Sequence, residues 1–180
     1  IVYNAASIRD AVLRVVENRP FQEDDFFEHD GLWHAWELHG RFSDEDRAAA
    51  VDAANRSLRD FREQLEECGL LILTPSSSVV YVYREISKIV ANCHKVPNQR
   101  FNRQLLSPSM NEEFLTKTIN AAQTINPTCS IVLTLSPVRH YPGELTLNTR
   151  SKARLCWAIG KCVEKFENVL YFPSYEIILD

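Results

Sequence analysis

The sequence lacks the features that mark membrane-spanning and nucleic-acid-binding proteins. No apolar stretch approaches the roughly 20 residues that a transmembrane helix needs, so no membrane span is expected. Lysines and arginines number 20 against 24 acidic residues, and a net charge of −4 gives no electrostatic attraction for DNA, RNA or an acidic membrane surface. The composition is otherwise ordinary, and 180 residues suit one domain, 1–180.

The cysteines are few and show no pairing pattern along the chain. There are five, none in a Cys-x-x-Cys motif, and the two nearest, Cys156 and Cys162, are six residues apart. A disulfide framework normally has an even number of closely spaced cysteines, so the pattern predicts a reducing compartment, the cytoplasm or an organelle matrix, rather than secretion. His29 and His34 lack the four-residue spacing that places two ligands on one helix face, and we expect no metal and no cofactor.

Apolar runs alternate with helical patterns along the chain. Runs at 70–74, 131–135 and 168–172 predict buried strands, because strands covered on both faces are apolar throughout. Helices are predicted over 7–18, from a cap at Ser43 to 68, over 111–124 and over 149–166. A small hairpin is predicted from 79–83 and 88–91. A histidine- and tryptophan-rich insertion at about 21–42 is expected to hold loops and short helical turns. This alternation predicts an α/β fold with a parallel sheet and right-handed crossovers.

Polar residues follow the predicted strands directly. Ser76 follows the first strand, and Ser136, Arg139 and His140 follow the second. Because the carboxyl ends of parallel strands share one edge, we expect Ser76, His94, Arg139 and His140 to surround one concave site there. Arg139 and His140 would orient a carboxylate or acyl oxygen. The alternative is that these residues only shape turns, which serine and asparagine favour in any case.

Several segments together resemble the GSCFA family, a branch of the SGNH/GDSL hydrolase superfamily, in order and spacing over essentially the whole chain. The matching segments are Tyr3-Asn4, 26–34, 90–95, 135–140, Asn148 with 151–153, and 171–177. The resemblance implies a three-layer α/β/α sandwich of flavodoxin-like type with strand order 2-1-3-4-5. Residues 1–3 would end strand 2, and strand 1 would be absent. We therefore expect the sheet to be incomplete in this chain, whose two ends look like cut edges of a longer protein.

Two motifs of the family are absent from this sequence. The family's name comes from a Gly-Ser-Cys-Phe-Ala motif whose serine is the expected nucleophile, and no Ser-Cys dipeptide occurs here. An Asp-x-x-His-Pro segment, which would supply the base, is also absent. The resemblance thus implies no catalytic residue in this chain, only oxyanion or substrate-binding candidates. These are Asn4, Ser76, His94, Ser136, Arg139 and His140. Ser76-Ser77 stands where the family usually has Gly-Thr, which puts part of the oxyanion hole in doubt.

Three classes of function stay open. The first is part of a serine esterase or acyltransferase, whose substrate would be an ester- or acyl-bearing small molecule or glycan, inactive as given. The second is a catalytically dead structural or interaction subunit of a larger assembly, and the third and weakest is a metal-binding module. Without strand 1, the strand at 70–74 would present an unpaired apolar edge, which we expect a protein partner or further sequence to fill.

Overall fold

The protein is built from five α-helices and eight strands in the part that the structure describes. This computed structural model describes residues 3–141 and 143–179. The helices are α1 Ala5–Val16, α2 Arg47–Glu67, α3 Pro108–Ile125, α4 Leu145–Lys165 and α5 Ser174–Leu179. The strands are β1 Phe26–His29, β2 Leu32–Ala35, β3 Leu70–Leu73, β4 Val79–Tyr83, β5 Lys88–Val90, β6 Phe101–Leu105, β7 Ser130–Thr134 and β8 Val169–Phe172. Among these residues, no helix has the length and apolar character needed to cross a membrane.

The three apolar runs form a parallel sheet in the order β3-β7-β8. Leu73, Leu133 and Val169 lie on its buried face, in one core cluster with apolar side chains of α1, α3 and α4. The α/β class, with a parallel sheet flanked by helices, is therefore confirmed, and each predicted strand is correct to within one residue at either end. The chain alternates strand and helix because each apolar strand needs a helix to cover it.

The other face of this sheet is apolar and exposed in the described part of the chain. The register places Ile72 of β3, Val132 of β7 and Leu170 of β8 side by side. Ile72 and Leu170 are each 58% exposed, and Phe172 is 53% exposed. The expectation that these strands are buried on both faces is therefore wrong, because among the described residues no element covers this face. Such a contiguous apolar surface is uncommon on a soluble monomer.

The edge of β3 that faces away from β7 has no strand beside it among the described residues. Just beyond β3, however, Asn4 forms an isolated parallel bridge with Ser77. The backbone before α1 therefore lies directly beside the extension of β3. Residues 1 and 2, on which most of the predicted strand end falls, lie outside the described residues.

The starts of α1 and α2 differ from the sequence expectation because other side chains cap these helices. Asn4 Oδ1 accepts a hydrogen bond from Ser7 N at 2.8 Å, so Asn4 rather than Ser7 caps α1. Asp46, and not Ser43, caps α2 by accepting from Ala48 N at 2.8 Å. Both residues satisfy backbone N–H groups that have no partner within the helix. The starts of α3 and α4 also precede the predicted ones, by three and four residues.

Two antiparallel sheets complete the fold. The predicted hairpin is confirmed as β4 and β5, and β6 adds a third strand that the sequence analysis did not predict. The expectation of loops and helical turns for the insertion is wrong in part, since β1 and β2 form a second hairpin there. Asp30 and Gly31 turn this hairpin with φ values of 52° and 76°, which Asp-Gly adopts readily.

A buried arginine fastens the insertion to α1. Arg14 is 4% exposed, its Nε donates to Glu37 Oε2 at 2.9 Å, and its guanidinium lies 3.9 Å from the centre of the Phe21 ring. Lys88 Nζ donates to Glu37 Oε1 at 2.6 Å. Burial acts to raise the pKa of Glu37, but the hydrogen bonds and charges of Lys88 and Arg14 hold that pKa below its ordinary value.

We predict that Arg14→Met destabilises the fold by about 1–3 kcal/mol, because the Glu37 carboxylate loses both of its hydrogen bonds from Arg14 and keeps only the one from Lys88. Urea unfolding followed by circular dichroism measures the loss. The control is Lys117→Met, which breaks an exposed pair with Glu113 and should leave the unfolding midpoint almost unchanged. Equal losses in the two variants would show that the Arg14 network is no more important than a surface ion pair.

Candidate functional site

A cluster of polar side chains lies where β3 and β7 end side by side. Ser76 Oγ is 2.5 Å from His140 Nε2, and the ring of Tyr3 stacks on the His140 ring at 4.9 Å between centroids. Together with Ser136 these residues line an open cavity of about 520 Å³. We call Tyr3, Ser76, Ser136, His140 and the neighbouring Lys152 the rim site.

Lys152 reaches this cluster from α4. Its ammonium donates to the carbonyl oxygens of Ser76 at 2.6 Å and Ser136 at 2.5 Å, and to Ser76 Oγ at 3.3 Å. The side chain is buried, with the residue 5% exposed, and this burial lowers its pKa from 10.5 to about 8. A cation with so little solvent around it acts on its neighbours far more strongly than one at the surface.

The hydroxyl of Ser76 contacts both Lys152 and His140. The ammonium donates to Ser76 Oγ, and the direction of the bond between Ser76 Oγ and His140 Nε2 depends on the tautomer of His140, because a hydroxyl can donate one hydrogen bond and accept two. A neutral His140 carries one ring proton, on Nδ1 or on Nε2. Burial, and next the positive charge of Lys152, lower the pKa of His140, which favours that neutral form.

The backbone N–H groups at this turn are already used. Ser76 N and Ser77 N both donate to the carbonyl oxygen of Tyr3, at 2.7 and 3.2 Å. Neither serine has a positive φ, so the turn has no conformation that needs the family's glycine. In this structure Ser76 therefore contributes its hydroxyl, and not its N–H, to the site.

A second group of serines fixes the turn to α4. Ser151 Oγ accepts from Ser78 N at 2.7 Å, and Ser78 Oγ donates to the Ser151 carbonyl at 2.8 Å. Ser77 Oγ lies 3.3 Å from Ser151 Oγ. Ser151 and Lys152, which are adjacent on α4, therefore both contact the turn after β3. The position of the Ser76 hydroxyl depends on how α4 packs against this turn.

The sequence model of the GSCFA family matches residues 1–180. The chain belongs to the GSCFA family. No curated protein and no solved structure matches the chain. Membership in the GSCFA family indicates an SGNH-like domain, in agreement with the parallel sheet and its polar rim.

Three other sequence-predicted residues of this GSCFA domain lie at or near the rim. The Ser136 carbonyl oxygen accepts a hydrogen bond from Lys152. The Ser136 hydroxyl accepts one from Val138 N at 3.2 Å and shapes the turn. The Asn4 side chain is used as the cap of α1. Arg139 is exposed and lines a smaller cavity of about 250 Å³ on the side of Lys152 near Tyr175.

His94 does not join the rim site. Its Nε2 lies 2.8 Å from the carbonyl oxygen of Ala35, and its ring is 4.5 Å from that of His34. Both histidines line a separate cavity of about 360 Å³ beside the insertion. Burial lowers the pKa of His94 to about 4, so it is neutral at physiological pH. Among described residues, no three His, Cys, Asp or Glu side chains are grouped to hold a metal ion.

Sequence reasoning missed two rim-site residues, Tyr3 and Lys152. Lys152 is buried on α4. It matched a family segment, but a lysine on an amphipathic helix is normally interpreted as solvent-exposed. The signal was its position, because it lies on the stripe formed by Asn148, Leu155 and Ile159, which are all buried. A lysine at helical spacing within an apolar stripe needs a buried acceptor, and loop carbonyls supply it here.

We predict that Lys152 titrates near pH 8 in the folded protein. The measurement is a ¹³C NMR titration of labelled lysine side chains, with the Lys152 signal assigned by its loss in Lys152→Met. Lys161 on the same helix is the internal reference, since its hydrogen bond to Glu164 raises its pKa above 10.5. Because the unfolded chain holds the Lys152 proton up to about pH 10.5, wild-type stability relative to Lys152→Met should rise between about pH 8 and 10.5. A Lys152 midpoint near 10.5 would contradict the burial argument.

Proposed function

We propose that the rim site binds the acyl oxygen of an ester- or acyl-bearing small molecule or glycan, as part of a domain related to serine esterases and acyltransferases. The observation that carries this proposal is the buried Lys152 ammonium beside Ser76 and His140. Acyl transfer places negative charge on the carbonyl oxygen, and a cation or N–H donor fixed nearby stabilises that charge.

Three groups at the rim suit such an oxygen. Lys152 supplies a positive potential in a site with little water. In the tautomer that carries its proton on Nδ1, neutral His140 presents an N–H donor, and Arg139 stands exposed at the adjoining cavity. Tyr3 and Val138 add apolar walls to the cavity beside Ser76. The arrangement favours a neutral ligand with a polarised oxygen, or a monoanion.

The same geometry argues against Ser76 as a nucleophile. The residue is 3% exposed, and its hydroxyl is held between His140 and Lys152. Among the described residues, no carboxylate forms a hydrogen bond with His140 to orient it as a base. The sequence also lacks the family's Ser-Cys motif. This chain therefore contributes binding groups, and its own turnover of esters should be absent.

The test uses phenyl methylphosphonate, a stable tetrahedral monoanion that imitates the charged intermediate of acyl transfer. We expect binding to shift the NMR signals of His140 and Lys152, and Lys152→Met to weaken binding about tenfold or more, as for loss of a charged hydrogen bond. Lys161→Met is the matched control on the same helix and should bind as the wild type does. Ser76→Ala, which conserves volume and charge, should weaken binding by a smaller factor.

Two results would overturn this proposal. One is that the wild-type chain does not bind the phosphonate. The other is that the single variants Lys152→Met and Ser76→Ala both fold and both bind as well as the wild type. The same chain should show no turnover of p-nitrophenyl acetate above an unfolded control. Turnover that a serine-directed phosphonate abolishes would show that the chain does contain a nucleophile.

A second candidate function, a structural or interaction subunit, is favoured by the edge of β3. Leu70 is 50% exposed and Ile72 58% exposed, and the strand is at the edge of its sheet in the described part. Unpaired N–H and C=O groups along such an edge form a template for another strand. The occupant we propose is an extended apolar segment of a partner polypeptide lying beside β3.

We predict that the isolated chain self-associates through this edge. Light scattering should show oligomers for the wild type and a monomer for Ile72→Lys, because a lysine on an edge strand opposes edge-to-edge pairing and its charge cannot be covered by an apolar partner. Ile86→Lys changes an equally exposed isoleucine in the turn between β4 and β5 and should leave the oligomers intact. A monodisperse wild-type monomer with rapid amide exchange along 70–73 would contradict the prediction.

A further inference from the structure

Two thiols meet at the end of the parallel sheet opposite the rim site. Cys68 lies between α2 and β3, and Cys129 directly precedes β7. Their sulfur atoms are 3.3 Å apart although the residues are 61 positions apart in sequence. We infer that Cys68 and Cys129 are a site of reversible disulfide formation, with a small-molecule disulfide such as oxidised glutathione as the oxidant.

The backbone already has the geometry that the bond needs. β3 and β7 are parallel neighbours with Leu70 opposite Ser130, and Ser130 N donates to the Gly69 carbonyl at 3.1 Å. Continuing this register, Cys129 lies opposite Gly69 and Cys68 is one residue away. With strands about 4.8 Å apart and a rise of about 3.3 Å per residue, such a diagonal pair has Cα atoms about 6 Å apart, within the range of about 4.4–6.8 Å that disulfides join. Closing the sulfur–sulfur distance to about 2.05 Å therefore requires little more than side-chain rotation.

A buried asparagine holds the two thiol-bearing segments together. Asn126 Nδ2 donates to the carbonyl oxygens of Leu65, Glu66 and Cys68, at 3.0, 3.2 and 2.8 Å. Asn126 is three residues before Cys129, and Cys129 N donates to its carbonyl at 3.3 Å. The end of α2 and the start of β7 are thus fixed relative to each other before any disulfide forms.

The two thiols have different roles in the exchange. Cys68 is half-buried and Cys129 is buried, so the incoming disulfide meets Cys68 first. Burial and the hydrogen bond with Cys68 raise the pKa of Cys129 to about 11, which keeps its thiol protonated at neutral pH. Cys129 accordingly acts second, as the resolving thiol.

The reaction balances as two successive exchanges. The Cys68 thiolate attacks oxidised glutathione, forms a mixed disulfide and releases one glutathione thiolate. Cys129 then loses its proton to solvent and attacks the Cys68 sulfur, and the second glutathione thiolate leaves. Two protein thiols are oxidised, one small disulfide is reduced to two thiols, and the two protons given up by the protein are taken up by the thiols released.

The test exposes the full chain to defined ratios of reduced and oxidised glutathione, followed by acid quenching, alkylation and mass spectrometry. We expect a product lighter by two hydrogens and one cross-linked peptide pair, containing Cys68 and Cys129. Cys68→Ser and Cys129→Ser should each abolish the cross-link, while Cys156→Ser, which changes an exposed cysteine, should leave it intact. The same treatment of the urea-unfolded chain should give mixed pairings.

A second readout is the urea midpoint of the oxidised chain, which should exceed that of the reduced chain because the bond constrains the unfolded state. Reduction by dithiothreitol should reverse the change, and Cys129→Ser should show none. The inference is overturned if the folded chain gives only glutathione adducts, links other cysteines, or stays fully reduced under the most oxidising ratio. It is also overturned if the oxidised chain is less stable than the reduced one.

Discussion

A buried ammonium holds the rim of this sheet together. Lys152 donates to the carbonyl oxygens of Ser76 and Ser136, which belong to the turns after two neighbouring strands. An unpaired ammonium at 5% exposure would be very costly, so both turns must converge on α4 for the helix to pack. The contact between Ser76 and His140 follows from that convergence. The site is therefore a consequence of how α4 is buried, as much as of the strands that precede it.

The sheet and part of the site could be predicted because their causes are local. Continuous apolar runs identify β3, β7 and β8, and the rule that parallel strands end at one edge brings Ser76 and His140 together. The family resemblance added the class of chemistry and is confirmed by the match over residues 1–180. Lys152 was missed because whether it is buried depends on which face of α4 packs against the sheet. The polarity of a lysine alone does not show this.

The remaining differences come from contacts distant in sequence. β6, with the sequence Phe-Asn-Arg-Gln-Leu, has no strand pattern of its own and exists because β4 pairs with it. His94 follows the hairpin of β4 and β5, but its Nε2 forms a hydrogen bond with the Ala35 carbonyl oxygen in the insertion. This contact holds the His94 ring away from the rim site. The two cysteines at 68 and 129 gave no signal, since only the pairing of β3 with β7 brings them together. The spacing of residues along the chain does not reveal such contacts between distant segments.

β3 is the element that these observations share. Its four residues pair with β7 on one side, so its position depends largely on what fixes its two ends. At the carboxyl end, Lys152 and the Tyr3 carbonyl hold the turn at Ser76. At the amino end, Asn126 holds Cys68. A partner strand beside β3, or a disulfide before it, would therefore act on the same short strand from which the Ser76 hydroxyl is presented to His140. In this fold the binding groups, the open edge and the thiol pair are therefore connected through one short strand.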